Sequence, residues 1–335
     1  MQRPLVSILI PFKNTSNFIE ECLQSISNQT YKNWEVLAVN DHSTDKSLEI
    51  VKSFAVDDSR IQYVPNNGAG IIEALRTAYS KSKGRLITRM DSDDIMKSSK
   101  LEVMVSALLT NGNGHIAVGQ VKYFSANGIG NGYERYESWL NSLTAKGNNY
   151  SEIYKECVIP SPCWMTFRED LEACNAFESN RYPEDYDLAF RFYEKGLKCL
   201  PCDEILHLWR DYDNRTSRTS QHYAQNYFLT IKLHYFLKLN YNTKRTLVVW
   251  GAGSKGKSIA KKLVQKEIAF YWVCDNSNKI GKDIYGQRML HYTAIERLKN
   301  PQSIITVANT EAQGVITSFL LELQQKPMKD YFFFC

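Results

Sequence analysis

The sequence predicts an α/β fold with a mostly parallel sheet, followed by a second and smaller α/β domain. Short apolar runs typical of buried strands alternate with segments whose apolar residues recur at helical spacing, which implies a parallel sheet covered on both faces. The same alternation starts again near residue 247, after a long aromatic segment. We therefore expect a first domain over residues 1–221, a helical linker over 222–244 and a second domain over 245–335.

Strand signals in the first domain are each followed by a helix signal. The strong strand signals lie at Leu5–Ile10, Glu35–Asn40 and Arg85–Met90, and weaker ones lie at Ile116–Phe124 and Cys163–Phe167. The helix after the first strand has four apolar residues on one face, namely Phe18, Ile19, Cys22 and Ile26. Further helices are predicted at Asp45–Val56, Leu101–Leu108, Pro183–Glu194 and His222–Leu239.

The Gly-, Asn- and Tyr-rich stretch at residues 127–136 has no regular period and predicts an irregular binding surface. Elsewhere the composition is that of an ordinary globular chain, with 335 residues, 43% hydrophobic and 23% charged. No apolar run reaches the 18 or so residues of a membrane span, and the start Met1–Pro4 has no secretory hydrophobic region. The eight cysteines are scattered through core-like segments, which indicates reduced thiols. We expect a cytoplasmic protein without membrane insertion.

Two predicted strands end in aspartate. One runs into Asp41 and the other into Asp91-Ser92-Asp93-Asp94. Ligands of open parallel sheets bind beyond the carboxyl ends of the strands, so these carboxylates should converge on one crevice. Hard oxygen ligands select Mg²⁺ or Mn²⁺, and we predict a divalent ion on Asp91 and Asp93 that bridges to phosphate. A turn with a helix cap would use the same residues.

A third acidic cluster, Glu184-Asp185, lies about ninety residues further on, at the start of a predicted helix. Acidic residues in a first helical turn also serve to compensate the helix dipole. The coincidence of three acidic sites nevertheless favours chemistry, because a binding module would have little use for all three.

A glycine motif marks the second domain. Gly251-x-Gly253-x-x-Gly256 follows the predicted strand Leu247–Trp250, and the next strand ends at Asp275, 22 residues beyond Gly253. This pattern predicts a Rossmann-like domain with a phosphate or nucleotide site, and it supports an alternative function as an NAD-type oxidoreductase or sensor. Against it, only about ninety residues remain, room for about half a dinucleotide fold, and such turns also serve packing.

Residues 4–220 resemble the family 2 glycosyltransferases of the GT-A fold. Four segments match in order: Val6–Asn14, Val39–Asp45, Arg89–Ile95 and Pro183–Leu188. The resemblance implies a nucleotide-sugar-binding domain in which Asp91 and Asp93 form the metal-binding Asp-x-Asp, Asp41 contacts the nucleotide base and Asp185 is the general base of an inverting reaction. Glu184 is the other residue of this catalytic pair, and we expect it to position the loop or the acceptor rather than take part in the chemistry. The implied donor contacts are Pro11, Phe12, Asn14, Asp41, Arg89 and Asp91.

The chain departs from the family pattern in two places. Relatives often carry Ala-Leu-Asn followed by glycine where this chain has Ala74-Leu75-Arg76 and then Tyr79. Relatives often show Tyr-Arg-x-His after the catalytic helix, whereas this chain has Trp209-Arg210-Asp211-Tyr212. The second departure removes a histidine that could contribute to phosphate or metal binding.

A narrower resemblance links the chain to the β-1,3-N-acetylglucosaminyltransferase-like group, the tRNA-queuosine galactosyltransferases. It is carried by five segments: Arg135–Asn141, Pro162–Trp164, Trp250–Gly253, Phe270–Asp275 and Asp330–Phe334. It implies UDP-galactose as donor and queuosine in tRNA as acceptor, with a cell-surface glycan as the other candidate acceptor. The net charge of +5 is compatible with a phosphate-rich partner and equally common elsewhere.

Together these observations predict a metal-dependent inverting transferase of a hexose, of galactose or N-acetylglucosamine type, from a UDP-sugar to a hydroxyl. Trp164 and Tyr186 are candidate acceptor contacts, although an aromatic residue at a strand position such as Trp164 usually packs in the core. A non-catalytic tRNA- or glycan-binding module is the third function class. The sequence indicates no oligomeric state.

Overall fold

A computed structural model describes residues 3–213, 215, 218 and 228–335. The chain divides into two compact units. The first contains residues 1–150 and 158–223, and the second contains residues 151–157 and 224–335.

An eight-stranded sheet forms the centre of the first unit. Its strands are β1 (Val6–Phe12), β2 (Trp34–Asn40), β3 (Ile61–Pro65), β4 (Leu86–Arg89), β5 (Ile95–Met96), β6 (His115–Phe124), β7 (Trp164–Phe167) and β8 (Lys198–Arg210). They are arranged in the order β3-β2-β1-β4-β7-β6-β8-β5. The first four are parallel, and β7 pairs antiparallel with both β4 and β6. Every residue of β1 is buried, as expected for a strand covered on both faces.

The described part of the first unit contains seven α-helices. They are α1 (Ile19–Ser27), α2 (Ser47–Asp57), α3 (Ile71–Lys81), α4 (Lys100–Asn111), α5 (Asn131–Lys146), α6 (Arg168–Ala173) and α7 (Glu184–Glu194). Helix α1 buries Ile19, Cys22, Leu23 and Ile26, and so presents the apolar face that its sequence predicts. The five strand predictions of this unit and the helices α1, α2, α4 and α7 are confirmed to within a few residues.

The prediction of an irregular stretch at residues 127–136 was wrong at its second half, because α5 begins at Asn131. The aromatic residues of that stretch do not line a loop. Tyr133 lies with its ring 5.1 Å from that of Tyr123 on β6, and Tyr136 lies 5.6 Å from Trp139 one turn along the helix. Packing of this aromatic face outweighs the low helix propensity of the glycines and asparagines.

The second unit contains a six-stranded sheet with the order β11-β12-β10-β9-β13-β14. Its strands are β9 (Thr246–Trp250), β10 (Tyr271–Cys274), β11 (Asp283–Ile284), β12 (Gln287–His291), β13 (Pro301–Ile305) and β14 (Tyr331–Phe333). Its helices are α8 (Leu229–Tyr235), which continues as a π-helix over Phe236–Asn240, α9 (Ser254–Gln265) and α10 (Thr310–Glu322). Of the predicted helix at His222–Leu239, residues 222–227 lie outside the described residues.

Five of these six strands, all except β11, are parallel. Their order reverses between β9 and β13, as in a doubly wound nucleotide-binding fold. The expectation that about ninety residues hold only half of such a fold was therefore wrong. The chain saves length because a short hairpin joins β10 to β12 and the 3₁₀-helix Tyr292–Arg297 leads to β13, in place of full crossover helices.

Two glycines of the Gly251–Gly256 turn are required by packing. Gly251 has φ +124°, and a β-carbon there would lie 2.4 Å from Thr306 Oγ1. A β-carbon on Gly256 would lie 2.0 Å from the carbonyl oxygen of Gly251. At Gly253 the same addition meets no atom within 4 Å. The turn thus brings α9 and β9 into close backbone contact, and only Gly253 has open space beside it.

None of the helices in the described ranges combines the length and the apolar character that crossing a bilayer requires.

We predict that Gly256→Ala destabilises the second unit by about 1–3 kcal/mol, because the new methyl group meets rigid backbone rather than a movable side chain. Thermal unfolding followed by circular dichroism measures the effect. Gly253→Ala is the matched control, with an expected change below about 0.5 kcal/mol. Equal melting temperatures for the two variants would contradict the packing assignment.

Candidate active site

The carboxyl ends of β2 and β4 bring the predicted acidic residues to one edge of the first sheet. Asp41 follows β2, and Asp91 and Asp93 follow β4. Because β2, β1 and β4 are adjacent and parallel, these segments lie side by side. The predicted convergence of carboxylates at this edge is present in the structure.

Arg89, the last residue of β4, connects the two acidic segments. Its guanidinium donates from Nε and Nη2 to Asp91 Oδ1 at 3.1 and 2.9 Å, and from Nη1 to Glu184 Oε1 at 3.0 Å. The Arg89 side chain is 5% exposed and that of Glu184 is 7% exposed. The two acidic clusters, about ninety residues apart in the sequence, therefore share one buried cation.

The carboxylates after β4 differ in their ionisation. Burial acts to raise the pKa of Asp91, but the charges of Arg89 and Arg215 together with the Arg89 hydrogen bonds outweigh burial, and the pKa lies below its usual range. Burial together with the charges of Asp94 and Asp91 raises the pKa of Asp93 to about 7. Burial and the charge of Asp91 raise the pKa of Asp94 to about 8. Without a metal ion, this cluster holds its remaining negative charge at a cost.

Asp94 holds the loop after β4 from inside the protein and is not accessible from the crevice. Its side chain is fully buried, shares a hydrogen bond of 2.9 Å with His207 Nε2 and accepts another of 2.7 Å from the Arg210 N–H. Burial lowers the pKa of His207 well below its ordinary value, so the ring is neutral. His207 was not predicted, because it lies within the long strand β8 and no sequence motif marks it.

Tyr212 is a second site residue that was not predicted. Its hydroxyl donates a 2.8 Å hydrogen bond to Asp93 Oδ2, and its ring lies 4.7 Å from that of Phe18. It occupies the position at which relatives often carry the histidine of Tyr-Arg-x-His. The sequence signal was therefore available, because the departure at that position marks a residue in contact with the Asp-x-Asp segment.

Glu184 and Asp185 form the first turn of α7. Burial, together with the charge of Glu184, raises the pKa of the Asp185 carboxyl to about 7, while Arg89 opposes the rise. Asp185 Oδ1 accepts a 2.8 Å hydrogen bond from the Tyr186 N–H. Glu184 differs, because Oε1 is held by Arg89 and Oε2 is buried without a partner among the described residues.

Asp41, the predicted contact of the nucleotide base, is 5% exposed and strongly hydrogen-bonded. Its Oδ1 accepts from Asn66 Nδ2 and from the Gly70 N–H, each at 2.8 Å, and Lys13 Nζ lies 3.3 Å from Oδ2. Burial acts to raise the pKa of Asp41, but these hydrogen bonds keep it below its usual range. The carboxylate is thus ionised, and Oδ2 is the less engaged oxygen.

The other predicted donor contacts are placed in different ways. Pro11 and Phe12 are buried residues of β1, so any contact they make with a donor uses their backbone. Asn14 is exposed with φ +53°, and its side chain accepts a 2.8 Å hydrogen bond from the Thr44 N–H. Asn14 thus joins the loops after β1 and β2, and a donor contact by its side chain stays a prediction.

The two predicted acceptor contacts are interior residues. Trp164 is 2% exposed and packs edge-on against Phe192, with 5.6 Å between ring centroids. Tyr186 is fully buried and stacks on Phe190 at 4.9 Å. Their burial favours a packing role, and an acceptor contact by either residue stays a prediction.

Asp91 and Asp93 fit a divalent ion as a partial ligand set. Asp91 Oδ2 and Asp93 Oδ1 have no hydrogen-bond partner in the described part of the chain, while their other oxygens are bonded to Arg89 and Tyr212. No group of three or more His, Cys, Asp or Glu side chains in that part is arranged to hold a metal. Magnesium sites with one or two carboxylates commonly complete their shell with substrate phosphates and water, and this pair suits such a site.

The predicted nucleotide site of the second unit is only partly supported. Gly251, Gly253 and Gly256 form a strand-to-helix turn at the switch point, and Asp275 is exposed just after β10. Lys279 Nζ donates a 2.6 Å hydrogen bond to the Ala252 carbonyl and so closes the turn from outside. A phosphate or NAD-type role for these residues stays a prediction.

Comparison with known proteins gives the family. Glycosyl transferase family 2 matches residues 7–174, half of the chain, including β1, the Asp-x-Asp segment and β7. The chain belongs to this family. An uncharacterized glycosyltransferase of Haemophilus influenzae is 30% identical over 230 residues, which cover 65% of this chain and 69% of the relative. Of the first two curated relatives that it matches, the chain spans 30% and 24% of the length.

Solved structures confirm the GT-A-type fold. TarS of S. aureus (residues 1–349), solved with UDP-GlcNAc, superposes with a TM-score of 0.55 at 16% identity, covering 71% of this chain and 68% of TarS. The mannosyltransferase PcManGT of Pyrobaculum calidifontis, solved with GDP-Man and Mn²⁺, gives a TM-score of 0.53 at 16% identity. That alignment covers 98% of this chain and 82% of PcManGT.

We predict that Asp185→Asn stabilises the metal-free protein at pH 8 by about 1–3 kcal/mol and much less at pH 5. The folded-state pKa of about 7 lies above the ordinary 3.8, so the folded state binds this proton more tightly and stability falls as pH rises between the two values. Urea unfolding at both pH values measures the difference. Asp57→Asn, at an exposed position, is the control and should show no such trend. A stabilisation as large at pH 5 as at pH 8 would contradict the assignment.

Proposed function

We propose that this protein is a metal-dependent, inverting glycosyltransferase that moves a hexose from a UDP-sugar to an acceptor hydroxyl. The observation that carries the proposal is the junction at Arg89 of the Asp-x-Asp segment and the Glu184-Asp185 pair. A structural turn and a dipole-compensating helix start would have no reason to share a buried guanidinium. A transferase needs both elements beside one sugar, one for the leaving group and one for the attacking hydroxyl.

The divalent ion that Asp91 and Asp93 would hold supplies neutralisation of charge on the departing diphosphate. Asp185 takes the proton of the acceptor hydroxyl while the hydroxyl oxygen attacks the anomeric carbon. One carbon–oxygen bond forms while the bond to the β-phosphate oxygen breaks, and the nucleoside diphosphate leaves with the electron pair. A single displacement inverts the anomeric configuration.

Asp185 is better suited than Glu184 to be the base. A base must ionise near the working pH and keep an oxygen available for the acceptor proton. Asp185, with a pKa of about 7, meets the first condition. Glu184 has one oxygen bonded to Arg89 and the other enclosed in the protein interior, so it acts on the site through Arg89.

UDP is the donor nucleotide we propose, and Asp41 Oδ2 is the protein atom that we propose contacts its nucleobase. The support is the resemblance to the tRNA-queuosine galactosyltransferase group and the fold shared with TarS, solved with UDP-GlcNAc. PcManGT was solved with GDP-Man, so the fold alone accommodates more than one nucleotide. The proposed metal is Mn²⁺ or Mg²⁺, as the oxygen ligands require.

The activity test compares two variants that should fail in different ways. We expect Asp93→Ala to lose Mn²⁺-dependent UDP binding and all transfer, while its metal-free melting temperature equals or exceeds that of the wild type because repulsion is relieved. Asp185→Asn should bind UDP normally and lose turnover by a factor on the order of a hundred or more. UDP titration calorimetry and a UDP-release assay over a panel of nucleotide sugars measure both.

Retained transfer by Asp93→Ala would contradict the metal assignment. If Glu184→Gln were inactive and Asp185→Asn active, the roles of the two acids would be reversed. Proton NMR of the product's anomeric centre tests the inversion.

A tRNA carrying queuosine is the acceptor we propose, with a glycan as the competing candidate. The two units differ in charge: the second has 17 Lys and Arg against 9 Asp and Glu, a net +8, and the first has 24 against 27, a net −3. Lys257 and Lys261 lie one turn apart on α9 and are both exposed. A polyanion is the class of acceptor that such a unit would attract.

We predict that Lys257→Glu/Lys261→Glu weakens binding of total tRNA at least tenfold at about 100 mM salt, with UDP release from the donor alone unchanged. Filter binding and the release assay measure the two effects. Lys32→Glu/Lys198→Glu is the control, because it makes the same charge change at exposed positions of the first unit. Equal loss in both pairs would indicate a nonspecific charge effect, and no loss in either would favour the glycan.

A further inference from the structure

Arg89 contacts the protein's own acids in a way that a donor-binding arginine would not. Three of its N–H groups are directed at carboxylates, two at Asp91 Oδ1 and one at Glu184 Oε1. The side chain is 5% exposed. A guanidinium that bound the diphosphate would have to weaken these bonds. Glu184, which is 7% exposed and has its other oxygen enclosed without a partner among the described residues, would then hold an uncompensated charge.

The two partners of Arg89 lie on either side of the proposed reaction. Asp91 belongs to the loop after β4, on the side of the leaving group, and Glu184 begins α7, beside the general base Asp185. Each acid has one oxygen fixed by Arg89. For Asp91 this leaves Oδ2 as the oxygen that could bind a metal, and for Glu184 it fixes the first residue of the helix that carries Asp185.

We infer that Arg89 is a positioning residue that holds the metal-binding loop and the general base in one geometry, and that it does not bind the donor. The inference rests on the proposed function and revises the donor contact expected for Arg89. The bond between Arg89 and Glu184 supports the inference, because it connects the end of β4 directly to the start of α7. A displacement of the base by about 1 Å is enough to cost on the order of a hundredfold in rate.

The test begins with Arg89→Lys, which keeps the charge and cannot reach both acids with a planar fork. We expect kcat for UDP-sugar turnover with acceptor to fall on the order of a hundredfold. We expect UDP affinity measured in EDTA to change less than about threefold, since Arg89 touches no part of the donor. In Mn²⁺ the same variant should lose UDP affinity, because Asp91 is no longer held.

A double-mutant cycle isolates the bond between Arg89 and Glu184. Because both residues act on the base through one contact, the kcat loss of Arg89→Lys in a Glu184→Gln background should be several-fold smaller than in the wild type. If Arg89→Lys does not fold, we compare Arg89→Met/Glu184→Gln with Glu184→Gln in the same assays. The double variant leaves one carboxylate without Arg89, whereas Arg89→Met alone would leave two. The control is Arg168→Lys, since Arg168 bonds the Gly84 carbonyl and Ser82 Oγ and, among the described residues, no carboxylate.

Three results overturn the inference while the wild type remains active. They are loss of UDP affinity in EDTA, which indicates a direct donor contact; multiplicative kcat losses in the cycle, which indicate independent roles; and an equal kcat loss in Arg168→Lys, which indicates general destabilisation. If the wild type shows no Mn²⁺-dependent UDP release at all, the proposed function fails, and this inference fails with it.

Discussion

Repulsion between carboxylates is the constraint around which the first unit is organised. The parallel order of β2, β1 and β4 brings the acidic loops together, and the start of α7 adds two more carboxylates. Two arginines make this arrangement tolerable: Arg89 bonds one acid of each segment, and the charge of Arg215 acts on Asp91, Asp93 and Asp94. The position of Arg89 at the last residue of β4 is fixed by the sheet, so one strand end places the cation that both acidic segments share.

The compensation by Arg89 is incomplete, and the remainder shows in the acids it does not touch. Asp93 and Asp185 both have a pKa of about 7, raised first by burial and then by neighbouring negative charge. At neutral pH each is therefore partly protonated, and a cation or a proton-donating acceptor would relieve the strain. The empty site therefore lowers the stability of the folded protein, and binding of a ligand or metal ion restores that stability.

Much of the site could be predicted from sequence because its residues follow strand ends and a helix start, which periodicity marks. Asp91, Asp93 and Asp185 were found in this way, and the family resemblance added their roles. His207 could not be predicted, since a histidine within a long strand has no local signal and its partner Asp94 lies 113 positions earlier in the chain. The role of Arg89 was missed for the same reason, as its bond to Glu184 exists only through the tertiary fold.

The second unit shows the opposite limit of sequence reasoning. Its glycine motif was identified correctly as a strand-to-helix turn, yet the length argument failed, because short connections allow five parallel strands where helical crossovers would allow about three. The glycines themselves are explained by close backbone packing at Gly251 and Gly256, and the motif alone is therefore poor evidence for a bound nucleotide. Charge is the more informative property of this unit. A net of +8 on a unit whose partner unit has −3 is a feature that packing does not require, and solubility would be served as well by either sign. The excess agrees with the phosphate-rich acceptor proposed above, and that proposal needs no role for the glycine turn.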